Sequence, residues 1–286
     1  MGTSSAAAHD SPQPIARLAL IVHADDFGET VEITEGICRA IEAGVITSTS
    51  VMANMPGTAD ALGRIAPLEE RASFGAHINL CEGSPLSRAW RARDRDGRFE
   101  GKRALAARAL GGRLSLREVE AEIAAQIALL RDAGVRLSHA DGHKHLHQLP
   151  VVATATANIL PRFGIERVRI TRSARWGTVR GASGVARELL ARRAARVFAR
   201  ARLRSPQGTL DIRDLMGNPN PLPLLAGGAR APQLTLEICC HPGTEAADHG
   251  KPGSHERWRE LEFLLSPEYR DMVRASGAAL VSYWRV

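Results

Sequence analysis

The sequence predicts a single α/β domain folded as an irregular (β/α) barrel, and three observations carry that prediction. Short apolar runs alternate with amphipathic helical stretches along the chain, the pattern of parallel βαβ units. No glycine-rich dinucleotide fingerprint follows the first run, which argues against an open nucleotide-binding sheet. The polar residues Asp25, Asp26, His77, Asp141, His143 and His241 all fall at or just past the ends of expected strands. In a barrel, that end of the strands is where active sites are assembled.

The first element is Leu18–Val22, a continuous apolar run that reads as a buried parallel strand and delivers His23-Ala-Asp-Asp-Phe-Gly28 at its end. A helix follows from Thr30, with Ile33, Ile37 and Ile41 on one face and Gly44 as its stop. Val45–Ala53 reads as the second strand, Pro56–Ile65 as a short helix and Ser73–Leu80 as the third strand. Residues 84–112, rich in Arg, Gly and Asp, are expected as an inserted loop over a site. Ser115 and Glu118 form a capping box that opens a helix running to Ala133, with Leu116, Val119, Ile123, Ile127 and Leu130 expected inward. A strand near Val135–Ala140, a histidine cluster, a helix from Pro150 to Leu160 and a strand at Ile165–Ile170 come next. Gly184–Arg204 is a basic amphipathic helix, and Asp211–Leu225 a loop, so 172–230 forms a second inserted region. Gln233–Cys240, two short helices from Ser254 and Ser266, and a last strand at Ala278–Trp284 complete a domain spanning 17–286. Residues 1–16 read as a disordered tail.

Composition bounds the function classes. Apolar residues make up 44% and charged ones 24%, an ordinary globular balance. Aromatics at 4% argue against a base-stacking platform for single-stranded nucleic acid. A net charge of +7 favours anionic partners. The cysteines at 38, 81, 239 and 240 show no metal-type pairing and are expected to be reduced, which points to the cytoplasm. The run at Leu18–Val22 is too short for a signal-peptide core or a membrane span.

The densest chemistry lies in His139-Ala-Asp-Gly-His-Lys-His-Leu-His147, which holds four of the ten histidines. Extended, it turns His143, His145 and His147 to one side; as a helix, it puts His143 and His147 on one face. Taken singly, each signal has a plain structural alternative: a solvated turn for the cluster, a helix cap for Asp25-Asp26, a core histidine for His77. Taken together, one carboxylate and two histidines from separate strand ends make the three-ligand set of an open catalytic metal site. Adjacent carboxylates divide the labour, one binding a cation while the other takes a proton.

Ala24-Asp-Asp-Phe-Gly28, Gly44-Val-Ile-Thr-Ser-Thr-Ser50, Gly75-Ala-His77 with Glu82-Gly83, the histidine cluster and Cys240-His-Pro242 resemble, in order, the YdjC-like carbohydrate deacetylases. That family includes chitooligosaccharide deacetylases and hopanoid-associated enzymes. The resemblance covers roughly 18–286 and is weakest in 84–112 and 172–230. It implies a barrel related to the polysaccharide deacetylases, one divalent metal ion (zinc or magnesium by its donor set), and hydrolysis of the N-acetyl group of an amino sugar or its conjugate. By position, Asp26, His77 and His143 resemble the metal ligands, Asp25 the general base and His241 the general acid. Asp141, His145, His147 and Glu82 are placed behind the ligands or along the substrate wall.

Two other classes stay open on the sequence. One is a different metal-dependent hydrolase of the phosphoesterase type. The other is a basic nucleic-acid or anionic-lipid binding protein, resting on the arginine-rich helix. The expected partner is an N-acetylated amino sugar, with a lipid-linked or anionic form and peripheral contact with the inner face of a membrane compatible with that helix. No nucleic acid is expected, and a homodimer is one compatible assembly.

Overall fold

The computed structural model describes residues 18–91, 96–172, 181–218, 234–248 and 256–286. The tail expected at 1–16 and the proposed Ser254 helix start lie outside them. Among the described residues the strands form one parallel sheet in the order β4-β3-β2-β1-β6-β5. These are β1 (Leu18–Phe27), β2 (Ser48–Val51), β3 (Ser73–Ile78), β4 (Leu137–Gly142), β5 (Gly208–Asp211) and β6 (Leu234–Cys240). β7 (Ala279–Leu280) pairs with the start of β1, below the point where β2 takes over that edge.

The helices follow the strands they cover. α1 (Val31–Glu42) is capped by Thr30, whose hydroxyl accepts from the Ile33 amide, and it buries Ile33, Ile37 and Ile41. Full burial of such a side chain contributes roughly 1.5–3 kcal/mol, so three on one face seat the helix on the sheet. α1 also approaches the segment after β6 so closely that a Cβ on Gly36 would lie 2.5 Å from Gly243 Cα. α2 (Thr58–Arg64) precedes β3. α5 (Leu116–Asp132) starts at Ser115, whose hydroxyl accepts from the Glu118 amide, and α6 (Pro150–Ile159) packs beside it. α7 (Gly181–Arg200), α8 (Glu256–Leu265) and α9 (Pro267–Ser276) complete the outer layer.

The sheet does not close as a continuous ladder; residues 165–172 span the gap between β4 and β5. The Arg169 amide donates to Ala140 O, the Val168 amide to Arg204 O and the Thr209 amide to Arg172 O. Isolated parallel bridges join Ala140 to Val168 and Arg167 to Arg204. The strand expected at Ile165–Ile170 is therefore corrected to a connector. Its amides do bond alternately to opposite neighbours as an interior strand's would, but too few consecutive pairs form on either side. The architecture is an irregular α/β barrel.

Three further expectations change. Residues 84–112 contain α3 (Arg88–Arg91) and α4 (Lys102–Leu110), pinned from below by the Glu122 carboxylate on the Leu86 and Ser87 amides. β5 arises inside the second inserted region, from a short stretch with Gly and Asp that carries weak strand propensity. The last strand shrinks to two residues because the chain turns inward at Tyr283 to plug the barrel. The Tyr283 amide donates to Ser73 Oγ at 3.1 Å, its hydroxyl to Glu237 Oε2 at 2.8 Å, and its ring stacks on His139 at 3.7 Å.

Candidate active site

The barrel interior carries buried polar side chains along the strands. His23, Ser48, Ser50, Ser73, His77, His139, Asp141, Arg169 and Glu237 are all buried. β1 contributes both aspartates because Asp26 adopts a left-handed φ of 70° while the β1–β2 register shifts between Ala24 and Phe27. A regular strand would have sent the two carboxylates to opposite faces. A left-handed backbone at a non-glycine residue costs about 1–3 kcal/mol and persists where its surroundings hold it.

Asp26, His77 and His143 converge. Asp26 Oδ1 lies 2.9 Å from His143 Nδ1 and 3.2 Å from His77 Nε2. Asp26 Oδ2 accepts from Arg257 at 2.7 Å, and the same guanidinium reaches Glu29 at 2.9 Å. His77 is oriented from behind: its Nδ1 is 2.8 Å from Asp141 Oδ1 and 2.9 Å from Ser50 Oγ. That leaves His77 Nε2 buried, aimed at Asp26 and without a hydrogen bond. His143 Nε2 is likewise buried and unsatisfied, 3.3 Å from Glu82 Oε2.

A second cluster adjoins the first. Arg169, fully buried, grips both oxygens of Asp25 at 2.9 and 2.7 Å, Asp141 Oδ2 at 2.9 Å and Glu237 Oε1 at 2.8 Å. His241 stands at the rim, Nε2 3.8 Å from Asp25 Oδ2 and Nδ1 3.8 Å from Glu260 Oε2, with its amide donating to Glu260.

Electrostatics follow from this packing. Burial opposes ionisation of Asp25, but the Arg169 guanidinium reverses that and holds the carboxyl below the usual range. Burial also opposes charge on Asp26, and the imidazoles of His143 and His77, with Arg257, hold it well below the ordinary value. Burial resists charging His77, yet the Asp141 carboxylate drives it up to about 10. The interior thus gathers the carboxylates of Asp25, Asp26 and Asp141 around the guanidinium groups of Arg169 and Arg257.

The predicted residues part company at the histidine turn. His143–Gln148 forms a 3-10 turn in which Lys144 and His145 both take left-handed backbones, neither the extended run nor the helix expected. The imidazoles therefore diverge. His147 points away to Arg169 O at 2.9 Å, and burial lowers it to about 4; burial lowers His145 to about 3. Glu82 sits beside His143, paired with the Lys144 ammonium.

Sequence reasoning missed Arg169, Glu237, His23, His139, Arg257 and Glu260. The available signal was a charged residue inside an apolar run, as in Val168-Arg169-Ile170 and Leu236-Glu237-Ile238. His139 had a second signal in Gly75, where a Cβ would lie 2.4 Å from the His139 ring.

Four side-chain groups among the described residues bring metal-type donors within 4.8 Å of one another. Two of them share Asp141, which Arg169 already engages, one of these also including Asp25, and a third uses Glu82, which Lys144 engages. In the fourth group, Asp26, His77 and His143, Arg257 takes only Oδ2 of Asp26 while Oδ1 faces both imidazoles, each of which keeps an unsatisfied Nε2, and this donor set fits a divalent cation.

The sequence matches the model of the YdjC-like protein family over residues 19–275. The chain belongs to the YdjC-like family. Among its relatives, the human carbohydrate deacetylase is 31% identical, with 92% of this chain and 90% of that protein covered. A carbohydrate deacetylase of Listeria monocytogenes (strain HCC23) is 28% identical over 71% of this chain and 81% of its own length. The fold is similar to that of a crystal structure from Enterococcus faecalis V583, described as a candidate cellobiose-phosphate cleavage protein. Its TM-score is 0.74 at 23% identity, with 93% of this chain and 98% of that one covered.

Proposed function

We propose that this protein is a metal-dependent hydrolase that removes the N-acetyl group from an amino sugar or its conjugate, releasing acetate and a free amine. The observation that carries this reading is the convergence of Asp26 Oδ1 with His77 Nε2 and His143 Nδ1, flanked by Asp25 and His241. Family relatives named carbohydrate deacetylase support the reaction class.

Asp26, His77 and His143 would hold the cation, which supplies Lewis-acid polarisation of the acetamide carbonyl and a lowered pKa for a nearby water. Asp141 fixes His77 with Nε2 outward, so the ligand is oriented before the cation arrives. Asp25 is the base. Arg169 locks its carboxylate in one orientation and keeps it ionised, ready to take the proton of the attacking water. Because that pairing makes Asp25 a weak base, it relies on the water being made acidic. His241, at the rim and within 3.8 Å of Asp25, gives a proton to the departing amine nitrogen, with Glu260 behind its ring. Water adds to the carbonyl carbon, the C–N bond breaks, and the products are acetate and amine.

The test is acetate release from N-acetylglucosamine conjugates by wild type, Asp25→Asn and His143→Ala, with phosphate release from phosphoesters in parallel. Acetate release by the wild type that falls at least about a hundredfold in both variants is expected for general-base and ligand losses. Acetate release unchanged in the variants, or phosphate release alone, overturns the reading.

A further inference from the structure

The positive charge of this chain is concentrated in one place. Residues 181–204 hold seven arginines against one glutamate, nearly the whole net charge of +7, so the remainder is close to neutral. α7 turns Ala191, Ala194 and Phe198 inward, and the Phe198 ring lies parallel to that of His147, 6.4 Å away. On the opposite side, at helical spacing, Val185, Leu189, Arg192, Arg193, Arg196 and Arg200 form one exposed stripe. Its aliphatic end is open, with Val185 49% and Leu189 60% exposed. Among the described residues, the ion pair recorded on this stripe joins Arg192 to Glu188 at 2.8 Å.

The placement of the stripe follows from the chain path. Residues 165–172 run parallel to β4 and β5, so they reach Arg172 on the face that carries the active site. The chain must return to the opposite end for the Arg204 amide to bond Glu166 O, and α7 makes that return. Val185 and Leu189 therefore lie toward the catalytic face, with the arginines trailing behind them.

We propose that the outer face of α7 docks the protein peripherally on an anionic phospholipid surface. The arginines meet headgroup phosphates, which their planar donors match in pairs, while Val185 and Leu189 enter the boundary between headgroups and acyl chains. Charge complementarity commits the surface to an anionic partner, and the two exposed aliphatics select a bilayer over nucleic acid, which has no use for them. Among the described residues no helix is long and apolar enough to cross a membrane, so the contact is a surface one. The proposal does not depend on the deacetylase reading.

The experiment is co-sedimentation of the full chain with vesicles of phosphatidylcholine alone and of phosphatidylcholine with phosphatidylglycerol. Binding is expected only to the phosphatidylglycerol vesicles. It should weaken about tenfold or more when Arg192, Arg193, Arg196 and Arg200 are replaced together by Gln. A several-fold loss is expected for Leu189→Asp, with circular dichroism of both proteins matching wild type. If the fourfold variant does not fold, a salt titration of the wild type replaces it, and binding must fall as salt rises. Equal binding to both vesicle types, no binding, or binding insensitive to the substitutions or to salt overturns the proposal. So does retention on duplex DNA that depends on the arginines but ignores Leu189→Asp.

Discussion

Two clusters of ionisable side chains share the catalytic face and are built on opposite plans. Around Arg169 every charged group is answered. Its guanidinium holds Asp25, Asp141 and Glu237, and the free oxygen of Glu237 takes the Tyr283 hydroxyl. Around Asp26 the arrangement is left open, with His77 Nε2 and His143 Nε2 buried and unsatisfied. Burying an unanswered polar atom costs about 1–3 kcal/mol, so such a pair persists in a folded protein where something else is meant to fill it. The first cluster is a frame; the second is a socket. Asp141 belongs to both, with one oxygen on His77 and the other on Arg169.

The sharpest way to break this contrast is to remove the cation of the frame. Arg169→Met should leave three buried carboxylates without their shared guanidinium and lower unfolding stability by roughly 3–5 kcal/mol, read from urea denaturation. A loss below about 1 kcal/mol would show that the frame is held by other contacts. Next in size is the shared residue. Asp141→Asn should weaken binding of a divalent cation by about 10–100-fold in competition with a chelator, because His77 loses the carboxylate that orients it. Unchanged affinity would detach the socket from its support.

The smallest effect lies on the surface, where the Arg213–Asp211 pair repeats the chemistry of the frame in water. Asp211→Asn should cost only about 0.2–1 kcal/mol, because exposed pairs are screened. Burial opposes ionisation of Asp211, but Arg213 lowers its carboxyl below 3.8. Its contribution is therefore complete above that value and disappears as pH falls through the lower folded value. The gap between wild type and variant should be flat near neutrality and close in acid; a gap that widens in acid would contradict the sign.

The same contrast explains which parts of the site were legible. Asp25, Asp26, His77 and His143 stand at or just past the ends of expected strands, and although each alone has a plain structural alternative, their shared placement points to a site. Arg169 and Glu237 sit inside such runs, and a lone charge there reads equally as an exposed edge position. Only the knowledge that each faces the other across the barrel turns them into a pair. Arg257 lies just inside α8, in a polar stretch that gives no hint of Asp26. The histidine cluster misled in a different way. Its regular spacing suggested a shared direction, but two successive left-handed residues rotate His145 and His147 out of line with His143.

The sequence by itself determined the alternation of strand and helix, the face that carries the chemistry and the family motifs. Those properties are local: periodicity, caps and short motifs are written in neighbouring residues. Tertiary structure alone decided how the barrel closes, through a connector at 165–172 instead of a strand. It also decided that Tyr283 turns inward, that Arg169 serves three carboxylates, and which nitrogens remain free. These outcomes depend on groups from separate elements, such as Arg169 and Asp25 or Tyr283 and Ser73, meeting in a low-dielectric interior. There an unpaired charge is so unfavourable that the partners choose the path of the chain.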